Sequence, residues 1–328
     1  MISRIAALVS LPLALGALRL ETHVNTGLSF DMVSSLIIGT HAAVLIDLPM
    51  AIPQAESLAD WVRRTTDKPL VAVFITHPHS DHYLSGASFL AEFPAAQYYS
   101  NPLSAAQIGL EAETRAQGLS AAFGAENISP EPPAIPSPYD FSFFVLPGDE
   151  NEPIHLLNPL TGDTPHHTLF WIPSTGALIA GDAVHGRDTH LWLADFVTPQ
   201  LTESALSTLN LIDNLQPSIV VPGHSLTNKN FGPGADVEFS WEYLRFWQTI
   251  EQQGLDHFTP QEIFRAFDER YPLLLEGNNT SSSTFILNAT AEQFGRGGIR
   301  QQHMVDLAAF NRTQLDGWRF AAGCSSSY

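Results

Sequence analysis

From residue 18 to about residue 271 the chain alternates short apolar runs with amphipathic stretches. Leu18, Leu20, Thr22 and Val24 alternate with Arg19, Glu21, His23 and Asn25, the two-residue period of a half-buried strand. Apolar runs at 34–39 and 42–47 flank Gly39, Thr40 and His41 and predict a hairpin in which His41 is a turn residue. Ala55, Leu58, Ala59, Trp61 and Val62 step by three and four positions, predicting a helix over 53–64 that packs on a sheet. Residues 71–76, all apolar or β-branched, read as a strand buried on both faces. A helix over 86–93, a strand over 95–99 and a helix over 102–117 follow. Prolines 130, 132, 133, 136 and 138 make 128–139 an irregular crossing segment. Strands are predicted at 154–158, 168–172, 177–180 and 218–221, and helices at 202–215, 236–254 and 261–271. No repeat of fixed period shows, and strands alternating with helices twice over predict two α/β halves packed sheet against sheet.

The strand at 71–76 ends abruptly in His77, His79, Asp81 and His82, all within six positions. Neutral imidazole nitrogens and carboxylate oxygens are what zinc, iron and manganese bind, and the compressed spacing lets one loop address two neighbouring centres. Asp182 follows the strand at 177–180 and His224 follows the strand at 218–221, so both occupy the same strand-end position as the first cluster. Ligands of open α/β layers gather at such ends.

The run Thr76-His77-Pro78-His79-Ser80-Asp81-His82 resembles the signature of the metallo-β-lactamase superfamily. The resemblance implies the α/β fold of that family, a four-layer αβ/βα sandwich, with two divalent metal ions at the edge where both sheets end and extra C-terminal helices over about 236–328. It implies that His77 and His79 serve a first metal, that Asp81, His82 and His224 serve a second, and that Asp182 bridges them. The family's third histidine for the first metal comes from a Gly-His-Thr-Pro-Gly-His-like turn. Here the corresponding stretch is Thr161-Gly162-Asp163-Thr164-Pro165-His166-His167, which puts Asp163 in the histidine's place. Either Asp163 is the ligand, or His167 or His166 substitutes by a shift of the turn, or the first metal is weakly held. A carboxylate lowers the charge of the site and favours manganese or iron, although zinc, the first expectation, accepts aspartate as well.

The chemistry so implied is hydrolysis: a hydroxide formed from metal-bound water opens a lactone, lactam, ester or thioester of a small molecule, with Asp81 and Asp182 as the catalytic carboxylates. A mononuclear iron oxygenase of the same fold and a thioesterase of the glyoxalase II kind are the alternatives. The aperiodic stretch 183–196 supplies His185, His190, Trp192 and Phe196 as candidate substrate contacts, and Tyr83 is a further candidate as a donor to a developing oxyanion.

Composition narrows the partners. Against 15 basic residues stand 34 acidic ones, a formal charge of −19 over 328 residues, which repels nucleic acid and anionic membrane surfaces and leaves a small molecule as the expected partner. The single cysteine, Cys324, cannot make an internal disulfide. Residues 1–17 carry Arg4, a short apolar centre and small residues at Ala14, Gly16 and Ala17, the pattern of a signal peptide and too short to span a bilayer. Sequons begin at Asn127, Asn278, Asn279, Asn288 and Asn311, so a secreted glycoprotein is expected, a cytoplasmic protein being the alternative, with 18–328 forming one domain.

Overall fold

Two sheets, each built from the apolar runs of one half of the chain, face each other in the computed structural model, which describes residues 18–227, 231–275 and 280–298. In the first sheet β1 (Arg19–Asn25), β2 (Met32–Ile38) and β3 (Ala43–Ile46) run antiparallel in sequence. Helix α1 (Ile52–Thr65) then carries the chain to β4 (Leu70–Ile75), parallel to β3. Helix α2 (Gly86–Glu92) leads to β5 (Gln97–Ser100), and α3 (Pro102–Phe123) to the short edge strand β6 (Ser137–Pro138). The second sheet has β7 (Phe143–Phe144), β8 (Ile154–Leu160), β9 (His167–Ile172) and β10 (Ala177–Gly181) as an antiparallel meander. Helix α4 (Pro199–Leu215) crosses back to β11 (Ile219–Pro222), which pairs parallel to β10. Helices α5 (Ala235–Gln253), α6 (Pro260–Arg270) and α7 (Thr280–Phe294) follow.

The side-chain alternation of the strands sorts the apolar residues into layers. Leu36, Leu45, Val73 and Ile75 point outward from the first sheet and meet Leu58 of α1, Phe89 of α2 and Ile108 of α3. Their sequence neighbours Ile37, Val44, Ile46 and Phe74 point inward and pack on Ile154, Phe170, Ile172 and Ile179 of the second sheet. Leu169, Leu178 and Ala180 face outward from that sheet onto Leu206 of α4, Trp247 of α5, Phe267 of α6 and Phe294 of α7. The order is helix, sheet, sheet, helix, the four-layer α/β sandwich expected from the sequence.

Some boundaries differ from the reading of the pattern. Helix α3 continues to Phe123 rather than 117 and stops at Gly124, whose φ of +93° leaves the helical region. Helix α4 begins at Pro199 rather than 202, since proline suits the first turn of a helix, where its missing N–H costs nothing. Strands β6 and β7 are two residues each and too short to show a period. At one edge the sheets are stitched together: Val33 N donates to Gly223 O at 2.7 Å, Ser225 N to Asp31 O at 3.1 Å and Thr168 N to Thr76 O at 2.8 Å.

Among the described residues no helix is long and apolar enough to cross a membrane. The expected signal segment 1–17, Cys324 and the sequon asparagines Asn278, Asn279 and Asn311 lie outside the described residues. Asn288 is exposed on α7, whereas Asn127 is half-buried and donates from Nδ2 to Phe123 O at 2.8 Å.

Candidate metal centre

The stitched edge is where the strand-end polar residues converge. His77 and His79 leave β4, Asp81 and His82 sit in the 3-10 turn Ser80–His82, Asp163 lies in the β8–β9 turn, Asp182 directly follows β10, and His224 lies two residues past the end of β11. They form two groups whose ligand-type atoms lie within 4.8 Å of one another: His77, His79, Asp163 and Asp182 in one, Asp81, His82 and His224 in the other. Asp182 stands between them. Its Oδ2 is 3.8 Å from His77 Nε2 and 3.2 Å from His224 Nε2, and its Oδ1 is 3.2 Å from His82 Nε2.

Which nitrogen of each ring faces inward is set by what holds the other. The Thr76 hydroxyl donates to Asp47 Oδ2 at 2.7 Å and so accepts from His77 Nδ1 at 2.9 Å, leaving the lone pair of His77 Nε2 pointing into the cluster. His82 Nδ1 donates to the same Asp47 oxygen at 3.0 Å, and His224 Nδ1 donates to the Phe30 carbonyl at 2.8 Å, again freeing Nε2 for the centre. His79 is turned the other way. Its Nε2 donates to Asp195 Oδ2 at 2.8 Å, and its Nδ1 lies 2.7 Å from Asp163 Oδ2.

The electrostatics fit a cation. His77 Nε2 and Asp163 Oδ1 are buried without a hydrogen-bond partner, 3.6 Å apart, an arrangement that costs free energy unless something positively charged shares them. Burial, aided by neighbouring His82, pushes His77 well below the usual imidazole range, so it is a neutral donor. Burial also pushes the Asp163 carboxyl up, partly offset by His79 and reinforced by Asp182. Burial acts the same way on Asp182, yet His224, His82 and His77 outweigh it and hold that carboxylate well below its usual range. Burial lowers His82, but Asp182 and Asp47 overcome it and keep the ring at about 10. Protons and metal ions therefore compete for the same inward Nε2 lone pairs. Seven ligand-type groups of imidazole and carboxylate chemistry, shared between two subsites, suit divalent ions.

Of the residues offered for the place of the third histidine, the structure brings Asp163 into the cluster and leaves His166 and His167 out. His167 stacks behind His77 with ring centroids 4.8 Å apart and spends its Nε2 on the Ala180 carbonyl at 2.8 Å. His166 contributes its backbone carbonyl to Asn101 and Ser104, fixing the start of α3.

The expected substrate contacts divide. His185 and Trp192 line a cavity of about 370 Å³ that opens over His79, Asp81, Asp182 and His224. Tyr83, His190 and Phe196 do not reach it. Tyr83 is fully buried beneath the first sheet's helices, and burial pushes its phenol up to about 12. His190 turns into the opposite core and pairs with the Tyr243 hydroxyl at 2.8 Å, while Phe196 packs beside Leu193 in that core. Tyr83 and Phe196 are thus taken up by the two outer apolar cores, and His190 by a hydroxyl buried in the second of them. Sequence reasoning missed Asp47, which receives Thr76 N, the Thr76 hydroxyl and His82 Nδ1, although it ends an apolar strand as His77 does. It also missed Asp195, which takes both Trp192 Nε1 at 2.7 Å and His79 Nε2.

Two facing sheets between outer helices, with a buried His/Asp cluster at their common edge, define a four-layer α/β sandwich with a candidate metal centre. The model of the metallo-beta-lactamase superfamily matches residues 29–224, more than half of the chain, and the chain belongs to that superfamily. Among solved structures, it is similar in fold to a metallo-beta-lactamase family protein from Thermus thermophilus, at 18% identity and TM-score 0.54 over 83% of this chain and 91% of that one. A metallo-beta-lactamase from Pontibacter korlensis matches at 17% identity and TM-score 0.47, covering 75% of this chain and 98% of that one. Nothing among curated proteins matches.

Proposed function

We propose that the chain is a two-metal hydrolase that opens a lactone, lactam, ester or thioester bond of a small, largely apolar molecule. The observation that carries this reading is the convergence on Asp182 of inward-facing nitrogens from His77, His82 and His224, beneath a cavity large enough for a small substrate. His77, His79, Asp163 and Asp182 would hold one ion, and Asp81, His82, His224 and Asp182 the other; zinc is the first expectation, with manganese or iron favoured by the Asp163 oxygen. Divalent ions held there supply a water acidified to near neutrality and a Lewis acid for the carbonyl oxygen. The protein supplies the rest. Asp81, whose side chain is 18% exposed while Asp182 is 2% exposed, is the carboxylate placed to orient water and carry a proton towards the leaving group. Asp182 is locked by its histidines and holds the two halves of the cluster at fixed separation. Phe30, Met50 and Leu119 give the cavity apolar walls that favour an uncharged substrate. Secretion belongs to the same proposal and rests on the apolar N-terminal segment and the sequons.

Metal analysis of the purified protein, followed by a panel of lactones, lactams, esters and thioesters with and without chelator, tests the reading. Two equivalents of zinc or manganese, cleavage lost on chelation and restored on readdition, and loss of turnover in folded His79→Ala and Asp182→Asn are expected. Activity that persists in either variant or in chelator would sink it. One tightly held iron with dioxygen uptake would instead establish the oxidative alternative.

A further inference from the structure

The cavity beside the metal centre has a wall of three aromatic rings. Phe30 and Phe285 stack with centroids 5.1 Å apart and planes within 6°, and Phe285 continues onto Trp192 at 6.3 Å and 23°. All three line the cavity. Helix α7 buries the neighbours of Phe285, Ile286 and Leu287 being 5% and 1% exposed, yet leaves Phe285 itself 46% exposed. Its ring is thus presented to the opening rather than consumed by the core. Two of the three members are tied to the ligand groups: Trp192 Nε1 and His79 Nε2 share Asp195 Oδ2, and the Phe30 carbonyl holds His224 Nδ1. A molecule seated on this wall is therefore held in register with both subsites.

A second element points the same way. Gly118, inside α3, lines the same cavity, and a Cβ added there would meet nothing within 4 Å. Glycine weakens a helix interior relative to alanine, and no close packing among the described residues calls for it here, so its effect is to keep the cavity open.

We propose that Phe285 is a specificity-determining residue which, with Phe30 and Trp192, selects substrates bearing a planar apolar ring. The proposal rests on the hydrolase reading and names its substrate class. Flat rings gain stacking on such a wall that flexible alkyl chains of similar area do not. Phe285 lies beyond residues 29–224, so it belongs to α7 and not to the segment that the superfamily model matches.

The test uses the full chain loaded with metal and calorimetric binding of three probes: 2-naphthol, the flexible 1-octanol, and acetohydroxamate, a chelator without a ring. Phe285→Ala and Phe285→Leu, the latter keeping apolar bulk without a flat face, are each expected to weaken 2-naphthol by about tenfold while changing 1-octanol less than about twofold, with unchanged metal content. Octanol binding the unaltered protein as tightly as naphthol, retention of naphthol affinity in Phe285→Leu, or equal loss for both alcohols would overturn the proposal. Failure of acetohydroxamate alone, with the alcohols behaving as expected, would count against the metal-centred reading and leave the aromatic wall standing.

Discussion

At Asp163 a single side chain departs from the donor set that the superfamily resemblance implies. Only 4% exposed, it lies 2.7 Å from His79 Nδ1 and 3.6 Å from His77 Nε2, where the resemblance calls for a third imidazole. An aspartate there adds a negative charge and a hard oxygen to a cluster that already contains Asp81 and Asp182, which draws hard ions closer and leaves each ion a weaker Lewis acid. Asp163→Ala is expected to lose one metal equivalent, or to weaken binding by about 10–100-fold, in equilibrium dialysis. Asp163→His is expected to retain both equivalents and to raise the affinity for zinc relative to manganese and iron. Unchanged stoichiometry and affinity in the alanine variant would remove Asp163 from the ligand set. Asp47 works on the same scale without joining the cluster: by receiving Thr76 N, the Thr76 hydroxyl and His82 Nδ1, it chooses the inward-facing nitrogens of both His77 and His82.

At the scale of elements, the strand ends must approach more closely than side chains allow, and two glycines permit it. Gly181 ends β10 at φ +49°, and a Cβ there would lie 2.7 Å from His167 Nε2. Gly223, between β11 and His224, has Asp182 packed directly over its Cα. An added Cβ would fall 1.8 Å from Asp182 Oδ1 and 2.7 Å from the Asp182 amide nitrogen, and the latter is backbone that cannot swing away. Gly223→Ala is expected to cost about 1–3 kcal/mol in denaturant unfolding and to lower metal occupancy as well, because Asp182 must shift. A variant that keeps full metal content and stability would show that the strand ends have slack. The predicted β10 and β11 could be read from their apolar runs, and so could the placement of Asp182 and His224 at their ends. The closeness of the two strands could not, since pairing between them depends on α4 returning the chain parallel to β10.

For the molecule as a whole, the centre couples folding, protons and metal. Burial lowers His82, but Asp182 and Asp47 raise it from 6.5 to about 10. A raised imidazole contributes stability that is complete below its unfolded value and is lost as pH rises through the folded one. The chelated protein is therefore expected to lose thermal stability between about pH 7 and pH 10 from this group, whereas metal-loaded protein, its nitrogens ligated, keeps it. Titration of metal into chelated protein near neutral pH should release protons from His82, and from His79 and His224, which nearby carboxylates raise well above the usual range despite burial. Calorimetry in buffers of different ionisation enthalpy measures the release. Heats independent of the buffer would show that these nitrogens are not the ones metal takes.

What could be read from the order of residues alone was the strands and helices other than β6, β7 and α7, because hydrophobic periodicity is local, and the cluster His77 to His82, because four ligands fit within six positions of one loop. Asp182 and His224 were legible for the same reason, each being the polar residue that stops an apolar run. The choice of Asp163 over His167, the inward turn of His185 and the outward turn of His190, and the contribution of Phe285 from a helix far along the chain were not. Those outcomes depend on which faces of distant segments pack together, and side-chain direction at a strand end or in an aperiodic loop is set by the neighbours that burial brings, not by spacing along the backbone. Only the folded arrangement of the two sheets, stitched at the edge by Val33, Thr168 and Ser225, decides which of these side chains share one centre.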